Sequence, residues 1–147
     1  PACEDTMFVG SYLYHCSRVC VTEECLYCYR QVSGGANRGR YSGRKAYDPK
    51  WMSVFEMTEY MADLYKDDAV TAACRLHEVR EAGIVLRSME AAGYHGADHA
   101  RLKGILRRGA SLFFRDENSG RSQKLSVLLS CISPKLELAV WKLRNRK

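Results

Sequence analysis

This 147-residue chain nowhere carries the roughly 20 consecutive apolar residues that a bilayer span requires, so a membrane-crossing helix is excluded. Proline is scarce at three residues, the 11 glycines follow no repeat, and collagen-like and low-complexity classes fall away with them. No Asn-x-Ser/Thr sequon occurs, which removes one sign of secretion without excluding it. Gly-x-Ser-x-Gly, the phosphate-binding P-loop, His-Glu-x-x-His and the dinucleotide fingerprint are all missing. The nearest acid/base candidates, Glu56 with Glu59 and Asp67 with Asp68, read as solvated helix faces and ends. The reading therefore leans away from an enzyme.

What is there is a globular composition, 46% apolar and 27% charged, of a size for one core with a small appendage. The net charge is +6, with 15 Arg against 8 Lys. Guanidinium forks match phosphates better than ammonium groups do, so this surplus leans toward a polyanion. The charge is also unevenly spread: residues 51–100 carry −5 and residues 101–147 carry +9. Such a field favours an anionic partner at the basic end.

Seven cysteines stand at positions 3, 16, 20, 25, 28, 74 and 131. An odd count leans toward reduced thiols or metal ligation. Cys16, Cys20, Cys25 and Cys28 place four thiolates in 13 residues, enough to wrap one tetrahedral zinc ion. A second arrangement joins Cys25 and Cys28 to Cys74 and His77, which share a face of one expected helix. Disulfides within the cluster are the alternative to zinc. His95 and His99 have the spacing of a helical chelate, but Gly96 and Asp98 put a turn there, and both read as surface residues.

Along the chain, residues 1–32 form a Cys-rich module, residues 33–47 a basic Gly-rich loop, and residues 48–147 a helical region. In the module, Met7-Phe8-Val9 and Tyr12-Leu13-Tyr14 read as short extended pieces broken by Gly10 and Ser11. From Asp48, a good cap before Pro49, the texture turns helical, with Val54, Met57, Met61 and Leu64 at helical spacing. Asp67 or Asp68 caps a second helix with a stripe of Ala69, Ala72, Ala73, Leu76, Val79, Gly83 and Leu86, stopped by Gly93. Asp98 caps a third, with Leu102, Ile105 and Leu106 inward. After a polar break at Asp116–Gly120 come two more, one over 122–132 and one opened by Ser133-Pro134 with Leu136, Val140 and Leu143 on its inner side. The expected fold is mainly α: a bundle of about five helices with the Cys-rich module attached.

Two elements suit phosphates. The loop holds Arg38, Arg40, Arg44 and Lys45 around Tyr41, a composition that wraps single strands and stacks bases. The third helix and its surroundings supply Arg101, Lys103, Arg107 and Arg108. The sequence thus reads as a zinc-stabilised, intracellular, non-catalytic protein that binds nucleic acid, RNA rather than duplex DNA. The alternative is a secreted, disulfide-stapled helical protein whose basic face binds a protein, an anionic glycan or a membrane surface.

Overall fold

The computed structural model describes residues 3–25, 27–28 and 47–145. The described residues form six α-helices and no strand. They are α1 (Glu4–Tyr14), α2 (Ser53–Tyr65), α3 (Asp68–Ala92), α4 (Ala97–Arg115), α5 (Arg121–Ile132) and α6 (Pro134–Arg144), with a single 3₁₀ turn at Pro49–Met52 before α2. The all-α bundle is as expected.

Helix boundaries follow local chemistry. Asp48 accepts from the Lys50 N–H and opens the 3₁₀ turn, Asp67 accepts from the Val70 N–H at 3.0 Å, and Ser133 accepts from the Leu136 N–H ahead of α6. Gly93, at φ 69°, ends α3 in the left-handed region, and the Tyr94 N–H closes the cap onto the Met89 carbonyl. One expected cap moves: α4 starts from Gly96, and Asp98 lies inside its first turn, where its carboxylate accepts from the Tyr47 hydroxyl at 2.9 Å.

The 25-residue α3 is the axis of the molecule, packed against α2, α4, α5 and α6. Its middle is buried all round. Val79, Ala82, Val85, Leu86 and Met89 are covered together with Glu78, Glu81, Arg87 and Ser88. The single stripe expected from the sequence describes only one side of it, and Ala69 and Ala73 of that stripe are exposed. Partners bring Phe55 from α2, Leu102, Leu106 and Phe113 from α4, and Val127 from α5 into the same core. Each such large side chain contributes about 1.5–3 kcal/mol when fully buried.

Two expectations are corrected. The segment read as extended pieces is helix α1. Strand-favouring Phe8, Val9 and Tyr12 find no strand to pair with among the described residues, while Glu4 and Asp5 suit the positive end of a helix. Gly10 does not break it. It lets the backbone approach α2, where Tyr65 donates to the Gly10 carbonyl at 2.8 Å and a Cβ would overlap the Met61 thioether. On α6, Leu136 is 43% exposed and Leu143 63%, whereas Pro134, Glu137 and Leu138 are buried. Glu137 turns inward because Arg87 of α3 waits there, and that pairing rotates the leucines outward.

Candidate anion cleft and histidine corner

Three helices each present a stripe at i, i+4 and i+7 toward a common cleft. Arg80, Ile84 and Arg87 come from α3, Ser122, Ser126 and Leu129 from α5, and Glu137, Trp141 and Arg144 from α6. Gln123, Val127, Val140 and Asn145 complete a cleft of about 560 Å³. That lies in the range of small-ligand sites.

Its floor is ionic. Arg87 Nη1 donates to Glu137 Oε1 at 2.8 Å, the Ser126 hydroxyl donates to the same oxygen at 2.7 Å, and the Arg87 guanidinium sits 5.0 Å from the Trp141 ring centre. Both partners of this pair are buried. On the rim, Arg80 reaches Glu81 Oε1 at 3.2 Å, and Arg144 donates to Ser122 Oγ at 3.2 Å. Three guanidiniums and one carboxylate thus line the cleft. Among the described residues, Arg80 Nε, Arg87 Nε and Glu137 Oε2 are buried without a hydrogen-bond partner. Buried polar atoms are normally paired, so three in one cleft point to groups that complete it.

The second assembly lies where α3 turns into α4. Glu90, His95 and His99 bring one ligand atom each to within 4.8 Å of the others, the sole such group of three or more among the described residues. His99 Nε2 is 2.9 Å from Glu90 Oε1, and His95 Nδ1 is 3.9 Å from it. The two imidazoles meet edge to face at 5.1 Å. His99, read from the sequence as a surface residue, is largely covered, because α4 points it back at α3.

The other candidates are scattered. Cys16 is half-buried and donates its thiol to the Tyr12 carbonyl at 3.4 Å, while Cys20, Cys25 and Cys28 are exposed. Among the described residues no disulfide joins any of the seven cysteines, and none of them enters a ligand cluster. Cys74 is half-buried on α3, where burial and then the Glu78 charge push its thiol up. Its helix neighbour His77 lies 3.3 Å from Arg80 Nη2. Arg38, Arg40, Tyr41, Arg44 and Lys45 fall outside the described residues.

On α4, Arg101, Arg107 and Arg108 are exposed opposite Leu102 and Leu106, with Arg101 reaching Glu59 at 3.4 Å, and Lys103 is half-buried. Arg101, Arg108 and Arg115 recur every seven residues as an outward basic ridge.

Sequence reasoning missed Arg80, Arg87, Glu137 and Trp141. The seven-residue step from Arg80 to Arg87 was visible, but nothing in the sequence said that this face of α3 would be enclosed. No described helix is long and apolar enough to cross a membrane. No protein-family model matches the chain, and neither a curated protein nor a solved structure resembles it.

Proposed function

We propose that this chain is an intracellular, non-catalytic protein that binds single-stranded RNA, with a phosphate and its neighbouring base taken into the cleft between α3, α5 and α6. The observation that carries the reading is the pair of buried, unpartnered Nε donors of Arg80 and Arg87 beside Trp141. Guanidinium N–H groups recognise phosphate oxygens, and an indole offers a stacking face to any base. Glu137 Oε2 adds an acceptor, which suits a base amino group or a ribose hydroxyl. A concave site of this size takes a nucleotide, not the width of a duplex. The outward arginines of α4 and the basic loop at Arg38, Arg40, Tyr41, Arg44 and Lys45 would add phosphate contacts along the strand. Zinc at Cys16, Cys20, Cys25 and Cys28 belongs to the same proposal. Those residues carry no regular structure, so the ion itself would draw the thiolates together.

The test is titration of the full chain with a short single-stranded RNA, followed by anisotropy and tryptophan emission, at salt from about 50 to 200 mM. Binding at low salt with quenching of Trp141 is expected. Arg144→Ala and Arg80→Ala should each weaken it and lower the salt slope by about 0.7, the single-strand value for one phosphate contact. Absence of binding by the folded protein at low salt overturns the reading. So does a sulfated glycan that binds equally well and leaves Trp141 emission unchanged.

A further inference from the structure

We infer that Glu90, His95 and His99 form a binding site for one divalent ion of the zinc class at the α3–α4 corner, separate from the N-terminal cysteines. Local structure sets the three ligands. Glu90 stands in the last turn of α3, Gly93 reverses the chain, His95 lies on the turn, and His99 sits in the first turn of α4. A helix pair joined this tightly brings the end of one element against the start of the next. The histidines are four apart, and the carboxylate arrives from the other helix.

The donor set is two imidazole nitrogens and one carboxylate oxygen, a combination that zinc takes in open sites with a fourth position for water. Bond lengths near 2.1 Å in a tetrahedron separate ligand atoms by about 3.4 Å. The observed separations from Glu90 Oε1, 2.9 and 3.9 Å, bracket that value. These two need to change by about half an ångström, and the third, between the imidazoles and within 4.8 Å, closes as His95 moves, its side chain being 51% exposed.

Charge supports the assignment. The Glu90 side chain is only 5% exposed, and a covered carboxylate needs a positive partner. Among the described residues no Lys or Arg pairs with it; the groups that approach its Oε1 within 4 Å as candidate partners are the two imidazoles. One divalent ion would neutralise the carboxylate and use both rings as neutral ligands. His99, 13% exposed, fixes the inner side, and His95 leaves the outer side open to solvent. Imidazole selects zinc, copper or nickel over magnesium, so discrimination against magnesium belongs to the claim.

The experiment uses the full chain carrying Cys16→Ser, Cys20→Ser, Cys25→Ser and Cys28→Ser, so that zinc held by thiolates is not counted. Native mass spectrometry and thermal denaturation are recorded with zinc and with magnesium. One zinc ion per chain is expected, with Tm raised by about 5–10 °C at a hundredfold excess over Kd and no response to magnesium. His95→Ala, on an exposed turn, should weaken zinc at least tenfold. Glu90→Gln should do the same. The inference is overturned if the four-serine variant takes up no zinc, or if it binds zinc equally after both further substitutions. The readout is the metal alone, so its failure leaves the RNA reading standing.

Discussion

Replacing Arg87 by Met while keeping Glu137 should cost about 3–5 kcal/mol, whereas replacing both should cost almost nothing. The gross attraction across the 2.8 Å contact is about 6 kcal/mol at an effective dielectric near 20. Removing two charges from water costs several kcal/mol per ion, so the intact pair adds little net stability. The asymmetry appears when one partner goes. Arg87→Met leaves the Glu137 carboxylate covered with only the Ser126 hydroxyl on Oε1. Glu137→Leu leaves a covered guanidinium against the Trp141 ring. In a domain of this size each kcal/mol moves Tm by about 2–4 °C, so either single variant should melt roughly 6–20 °C early. The double variant Arg87→Met/Glu137→Leu, similar in volume and apolar, should return to within about 1 kcal/mol of the parent. Urea unfolding followed by circular dichroism supplies the four corners of the cycle. Single losses below about 1 kcal/mol would show the pair to be hydrated. A double loss equal to the sum of the singles would show that the two residues do not act through each other. Either result refutes the reasoning.

Burial, and next the hydrogen bond to Asp98, push the Tyr47 phenol well above its ordinary value of 10.0. Stability from this contact is present below the unfolded value and lost as pH rises beyond it, so the parent should weaken above about pH 10 more steeply than Tyr47→Phe, as measured by urea midpoints across that range. Burial likewise pushes the Cys131 and Cys74 thiols up, while Cys20, Cys25 and Cys28 stand exposed. Timed alkylation of the metal-free native chain, read by peptide mass, should label the three exposed cysteines well before Cys131 and Cys74; simultaneous labelling would contradict the partial burial of those two thiols.

Much of the bundle was legible because local rules and packing agree there. Asp48, Asp67, Gly93 and the Ser133-Pro134 pair mark helix ends through their own backbone chemistry, which no distant contact overrides. Leu102 and Leu106 face inward as their spacing says. Failures came where tertiary contacts decide. Helix α1 was concealed by strand-favouring side chains around a glycine that exists for its contact with α2. The inner side of α6 was concealed by the rule that leucine outranks glutamate for burial, which reverses once Arg87 is buried opposite. The cleft was illegible for the same reason, since its arginines look solvated until α5 and α6 close over them. The histidine corner needed Glu90, whose role depends on how sharply the chain turns at Gly93.

The central position of α3 sets an order in which the molecule comes apart. Helices α2, α4, α5 and α6 all lean on it, so none can leave without exposing the core that the others share. Helix α1 leans on α2, with Phe8, Val9 and Tyr12 facing solvent. The described helices therefore form two cooperative layers. An inner unit opens only with global unfolding, and an outer helix detaches at a fraction of that free energy. Cys16, Cys20, Cys25 and Cys28 follow directly behind the outer helix, so opening of that helix changes their surroundings while the core stays folded.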